Sequence, residues 1–203
     1  LKMAHFEAKQ GVRATYFLLL SSENYNLLSE KSCTVPRQLA ALGHEVGLHY
    51  DVRAMYERCN ESVSTQLQWE TDILSELTGN TIHSIAMHNP HVYGDDPFVG
   101  DDHFINAYDP RFTKAIAYYT DSCGAWRDHV HDAFLRSEIP DRLQVLIHPF
   151  FWADNPGDRW ERLNKWMVER FQSLLDCQTE VREIWHNHAG VQEHESRLTR
   201  RCT

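Results

Sequence analysis

A chain of 203 residues with a formal charge of −9 and no basic stripe interleaved with aromatics is not built to bind nucleic acid. No apolar run reaches the length needed to cross a bilayer, so no membrane partner is expected. Five widely spaced cysteines without a C-x-x-C argue against a disulfide framework or zinc knuckle and point to a reducing compartment, the cytoplasm.

Leu1 to Gln10 reads as the end of a helix, with Met3, Ala4, Phe6 and Ala8 at helical spacing and Gly11 as its C′ residue. Arg13 to Leu20 is a short, nearly continuous apolar strand, as expected when both faces are buried. An α/β domain normally places a strand before such a helix, so an upstream segment is expected to be missing from the sequence. Ser21 to Ser32 is a polar loop or short helix. Thr34 is a candidate cap for a helix over Val35 to Leu42, with Pro36 in its first turn and Val35, Leu39 and Leu42 as its stripe. Gly43 closes a turn, and Val46 to Tyr50 is the second strand.

Arg53 to Cys59 is a loop or short helix. Asn60 or Ser62 opens a longer helix carrying Val63, Leu67, Trp69, Ile73 and Leu77, and Gly79 stops it. Ile82 to Met87 is the third strand, ending in His88-Asn89-Pro90. His91 to His103, rich in Gly, Asp and Pro, reads as a loop that leaves Asp95-Asp96 and Asp101-Asp102 solvated. Phe104 to Tyr108 is a short strand or turn, and Ala115 to Thr120 is a strand ending in Asp121-Ser122. Leu143 to Ile147 is the last clear strand, ending in His148-Pro149. Asp158 to Leu175 is an amphipathic helix with Trp160, Leu163, Trp166, Met167, Phe171 and Leu174 on one side, the two tryptophans reading as core. The remainder to Thr203 is polar, and helical or frayed. Strands alternating with helices predict an α/β fold with a parallel sheet or barrel, in a single domain over 1–203.

The polar residues that close the strands are His49 and Asp51, His88, Asp121, and His148. In a parallel α/β fold such ends lie at one rim, where sites are built. His49 and Asp51 are two residues apart, so they share a strand face, and both are ligand types for a divalent metal such as zinc. Asp51 equally suits the cap of a following helix. His88 and His148 read as facing the site, and Asp121-Ser122 as site or turn. His44 precedes its strand and reads as structural, at the opposite rim. His129-x-His131 and His186-x-His188 follow no core strand and read as surface pairs among thirteen histidines.

Arg13-Ala14-Thr15-Tyr16-Phe17, then Gly43-His44-Glu45-Val46-Gly47-Leu48-His49, then Ile147-His148-Pro149 resemble the polysaccharide deacetylase family, carbohydrate esterase family four. The resemblance covers Met3 to Trp152. It implies a distorted (β/α) barrel of about seven strands, and metal-dependent removal of an acetyl group from an acylated sugar or polysaccharide. By the resemblance, His49 matches the first metal-binding histidine. Arg53 stands where the family has its second, which leaves Asp51 as the nearest alternative ligand. His88 falls where an Arg-x-Pro loop tethers the general base, and so is a ligand, a tether or a substrate contact. Asp121, with Trp126, matches a segment that supplies an Asp and an apolar wall, and His148 matches the general acid. The family's Asp-Asp pair, which supplies the base and a ligand, is expected upstream of Leu1. The competing reading is a non-catalytic carbohydrate-binding or scaffold relative that has lost the complete metal site. Oligomeric state is left open.

Overall fold

The computed structural model describes residues 1–58, 62–94, 96–100, 102–126, 135–136, 138–152 and 158–199, with the side chains of all but 91, 93 and 186–199. They form two compact units, Leu1–Asp121 with Ala125–Ile147, and Ser122–Gly124 with His148–Thr203.

The first unit is α/β with parallel sheets. Its elements are α1 (Lys2–Lys9), β1 (Thr15–Leu19), α2 (Val35–Ala41), β2 (Glu45–Tyr50), α3 (Val52–Arg58), α4 (Val63–Thr78), β3 (Ser84–Met87), α5 (Pro90–Tyr93), β4 (Ile105–Asn106), α6 (Pro110–Thr113), β5 (Ala117–Thr120) and β6 (Leu143–Leu146). Strands β1-β2-β3-β4 pair in sequence order, all parallel, and β5 pairs with β6, also parallel. The Gln144 amide donates to the Ala107 carbonyl at 3.0 Å, which ties β6 to the turn after β4.

Strand alternation gives the larger sheet two unlike faces. One carries Val46, Leu48 and Tyr50 of β2 with Ile85 and Met87 of β3, all buried in one cluster with Leu39, Leu67 and Leu74 of the covering helices. Each such side chain contributes about 1.5–3 kcal/mol by leaving water. Helices α2 and α4 pack on β2, and α3 packs on α4. Helix α4 begins at Ser62, whose hydroxyl accepts from the Thr65 N–H at 3.2 Å, and ends at Gly79 with φ of 76°.

Three expectations are corrected here. Thr34 makes no side-chain capping bond. Its backbone is already helical, with φ −87° and ψ −13°, and its hydroxyl instead accepts from the Gln38 amide at 3.0 Å. The 91–103 segment is not all loop, because Pro90 starts one helical turn. The buried face of α4 is turned toward Gln66 and Glu70, leaving Trp69 54% exposed.

The second unit contains 3₁₀ turns at Ser122–Gly124 and Pro149–Phe151 and a long helix, α7 (Arg159–Thr199). A Cβ on Gly124 would lie 3.1 Å from the Phe151 ring, and the Arg159 guanidinium donates to the Cys123 carbonyl at 2.9 Å. Asp158 caps α7, accepting from the Trp160 and Glu161 N–H groups at 2.7 and 2.9 Å, while Glu161 reaches back to the Asp158 N–H at 3.2 Å. Helix α7 runs well past Leu175, and Trp160 is 61% exposed rather than core.

Candidate functional site

The second face of the larger sheet mixes polar, small and apolar side chains. It carries Thr15, Phe17 and Leu19 of β1, Glu45, Gly47 and His49 of β2, Ser84 and Ala86 of β3 and Ile105 of β4, with His88 one step beyond Ala86. At its N-terminal end the Glu45 carboxylate accepts from the Thr15 hydroxyl at 2.6 Å and from the Ser84 hydroxyl. In the middle, Gly47 makes room for Phe17: a Cβ there would sit 2.6 Å from that ring and 2.9 Å from the Ser84 carbonyl. At the C-terminal end stand His49 and His88. His49 is in register with Ala86, and His88 lies two residues further along, so the two imidazoles are diagonal neighbours on one face.

Taken as neutral imidazoles, the two rings have one tautomer each that satisfies their hydrogen bonds. His49 Nδ1 lies 2.8 Å from the Ala86 carbonyl, which only accepts, so Nδ1 carries the proton. His49 Nε2 therefore presents a lone pair, and His88 Nδ1 donates to it at 3.0 Å. His88 Nε2 in turn accepts from the Asn89 amide at 2.9 Å. The rings meet edge to face, with centroids 5.0 Å apart and planes at 89°. Asn89 is left-handed, φ 48° and ψ 52°, a conformation asparagine tolerates, and Pro90 follows it into α5. The His88 N–H is held by the Tyr50 carbonyl at 2.8 Å.

The other predicted residues are placed differently. Asp51 leaves the strand to cap α3: its Oδ1 accepts from the Arg53 and Ala54 N–H groups at 3.0 and 3.2 Å. Arg53, at the position where the resemblance puts a second histidine, pairs with Glu57 at 3.2 Å along α3. Asp121 is buried one residue beyond β5, its N–H donating to the Leu146 carbonyl at 3.2 Å. His148 belongs to the second unit, at the start of the Pro149–Phe151 turn, where its exposed ring is edge-on to Phe151 at 5.9 Å. His44 is structural. Its Nδ1 accepts from the Ala14 N–H at 3.2 Å, and its Nε2 donates to the Ala4 carbonyl at 2.9 Å. His129 and His131 lie outside the described residues, as do the side chains of His186 and His188.

The imidazole pair fits part of a metal site. Two nitrogens on a tetrahedral zinc, each about 2.0–2.1 Å away, stand about 3.3 Å apart. His49 Nε2 and His88 Nδ1 stand 3.0 Å apart, so a small opening of the pair would admit an ion. His49 is already oriented by a carbonyl on its far nitrogen, the usual support for a ligating histidine. For His88 to ligate, its proton must move to Nε2 and the Asn89 amide must present oxygen instead, a half-turn about one bond. Among the described residues, no group of three or more His, Cys, Asp or Glu is arranged to hold an ion.

One carboxylate escaped the sequence reading. Asp96 is not solvated: it accepts from the Tyr50 hydroxyl, from the Phe98 N–H at 2.9 Å and from the Asn106 amide at 2.9 Å. Tyr50 and Asn106 are both buried, and Asn106 Oδ1 takes the Tyr108 N–H at 2.9 Å. Burial, then the Asp96 contact, hold the Tyr50 hydroxyl far above its ordinary pKa. The network ties Asp96, Phe98 and Asn106 to the end of β2, one residue from His49. The available signal was Tyr50 itself, a polar tip on an otherwise apolar face, which requires a partner. Asp95 and Asp101 lie outside the described residues.

Among the described residues no helix is long and apolar enough to cross a membrane. Compared with known protein families and with curated proteins, the sequence matches none.

Proposed function

We propose that the chain is a metal-dependent hydrolase of the polysaccharide deacetylase type, removing an acetyl or other acyl group from an N-acetylated sugar or polysaccharide. The observation that carries this reading is the His49–His88 pair at the C-terminal ends of adjacent parallel strands, with His49 oriented by the Ala86 carbonyl. In this reading the larger sheet is one wall of a distorted barrel, which its sequence-ordered parallel strands support. The compartment is the cytoplasm, a reading supported by five widely spaced cysteines without a C-x-x-C.

His49 Nε2 and His88 Nδ1 would hold the ion, probed first as zinc. When bound, such an ion supplies an activated water and polarises an acyl carbonyl. The chain's own residues do the rest. The Ala86 carbonyl keeps the His49 proton on Nδ1 and so keeps Nε2 aimed at the site. Asn89 holds His88 by its other nitrogen. The resemblance assigns the proton donor to the leaving amine to His148, which belongs to the second unit.

Zinc titration of the full chain tests the core of this reading. His49→Ala and His88→Ala should each lower affinity at least tenfold, and His49→Ala should also abolish release of acetate from an acetylated amino sugar. Unchanged affinity in His49→Ala rejects the reading. His148→Ala should lower kcat by about 10²–10⁴ while metal content stays constant. Loss of metal in that variant would make His148 a ligand.

A second reading has its own observations. Arg53 replaces a family ligand and is engaged with Glu57, and Asp51 caps a helix. Both suit a non-catalytic carbohydrate-binding relative, which would bind acetylated oligosaccharide with no turnover in the presence of zinc.

A further inference from the structure

Helix α7 carries an apolar repeat that no part of the site uses. Trp160, Met167, Leu174 and Val181 recur every seven residues, and Leu163, Cys177 and Ile184 follow at the intervening positions, with Arg170 the one charged member. A strict seven-residue repeat over several turns is the pattern of a helix pairing with another helix in a left-handed supercoil, whereas a helix lying on a globular surface follows the 3.6-residue period. The polar contacts of α7 run along the opposite side: Lys165 faces Glu169 at 3.9 Å, and Gln172 donates to Asp176 at 2.8 Å. The seam is open to solvent. Trp160, Met167, Leu174, Val181 and Ile184, with Phe171 and Trp185 beside them, are between 38% and 73% exposed.

We propose that α7 is an association surface for a second copy of this chain, the two helices packing antiparallel about a two-fold axis near Gln172. Area supports this occupant. At about 200 Å² for a large side chain, the exposed parts of these seven residues come to roughly 800 Å² per helix, which is what one partner contributes to a standard interface. The seam also complements itself in this orientation. Trp160 meets the second copy's Ile184, Leu163 its Val181, Met167 its Cys177, and Arg170 its Leu174. A parallel, in-register pair would instead set Arg170 against Arg170, a like-charge contact in the seam. A helix of this length with so much exposed apolar surface gains most of its stability from such packing rather than from intrinsic propensity.

Sedimentation of the full chain over a range of concentrations tests the proposal, with circular dichroism as the check on folding. The wild type should be dimeric at micromolar concentration. Val181→Glu, which places a charge against Leu163 of the second copy, should weaken association at least a hundredfold. Lys165→Gln on the outer side should leave association unchanged. Met167→Cys should give a disulfide-linked dimer on mild oxidation, and the added substitution Cys177→Ser should abolish that link. A wild type that stays monomeric throughout overturns the proposal, as does a dimer indifferent to Val181→Glu. A wild-type dimer that oxidises through Cys177 to Cys177 overturns the antiparallel arrangement. Should Val181→Glu fail to fold, the Met167→Cys cross-link decides.

Discussion

Asp51 serves α3 through one oxygen, and two substitutions separate that service from metal binding. Asn caps a helix about as well as Asp, whereas Ala does not cap. Asp51→Asn should therefore leave the urea midpoint nearly unchanged, and Asp51→Ala should lower stability by about 1 kcal/mol. If Asp51 also ligates, zinc affinity falls in both variants. If it only caps, affinity in Asp51→Asn equals that of the wild type. Gly47 makes a sharper demand. A Cβ there meets the Phe17 ring at 2.6 Å and the Ser84 carbonyl at 2.9 Å, and the carbonyl belongs to the paired strand and cannot swing away. Gly47→Ala should cost about 1–3 kcal/mol by overpacking, read as a lowered thermal midpoint, and a midpoint within error of wild type would mean the sheet opens freely there. At this scale the sequence disclosed the His49–His88 neighbourhood, because strand ends are marked by the apolar runs before them. It did not disclose Asp96. A carboxylate in a Gly- and Pro-rich loop carries no periodic signal, and its partners Tyr50 and Asn106 come from two other strands.

The joint between α3 and α4 shows what an apolar pattern hides. The strands were legible because nearly continuous apolar runs bounded by turn residues have few other homes, and α4 was legible from its caps. Its inward side was not, because two of the residues it buries, Gln66 and Glu70, are polar. Gln66 donates to the Met55 carbonyl at 2.7 Å. Glu70 lies 2.7 Å from the Arg58 guanidinium, yet neither of its oxygens accepts a well-aligned hydrogen bond among the described residues. Arg58 also lies over the Trp69 ring at 5.6 Å, which accounts for an exposed tryptophan on the apolar stripe. Burial raises the Glu70 carboxyl above its ordinary pKa of 4.5, and Arg58 opposes that rise without cancelling it. A carboxyl with a raised folded-state pKa favours the folded state most at low pH, and that contribution is lost as pH climbs through the folded value. Wild-type stability relative to Glu70→Gln should therefore decline as pH rises above 4.5. Urea midpoints of both proteins across that range check it. A relative stability that instead grows with pH would mean the Arg58 ion pair outweighs the cost of burial.

At the scale of the first unit, the same reasoning falls on its tyrosines. Tyr16 on β1, Tyr50 on β2, Tyr108 after β4 and Tyr118 on β5 all have hydroxyls held above the ordinary value of 10.0, in each case chiefly by burial. Tyr16 is raised further by the Glu7 carboxylate, to which it donates at 2.6 Å, and Tyr108, pushed up to about 12, also feels Tyr118 and Asp96. A burial that suits the neutral phenol cannot accommodate the phenolate. Above the ordinary value the unfolded chain sheds these protons and the folded chain keeps them, so the unfolded state gains with every increment of pH. The stability they confer is complete below 10.0, and the share from Tyr108 is gone by about 12. Because the four residues sit on or beside four different strands, none can ionise in place without disturbing the sheet core or its connections. Raising the pH of the full chain while following tyrosinate absorbance and circular dichroism together should show much of the phenolate signal arriving with the loss of secondary structure, in one cooperative step above 10.0. Tyr50→Phe should shift that step only modestly, since Tyr16, Tyr108 and Tyr118 remain, as does Tyr25, whose hydroxyl burial also raises. A gradual rise of the whole phenolate signal centred on the ordinary value, with the dichroism intact, would mean these hydroxyls reach water and that the strands carrying them are not packed as described.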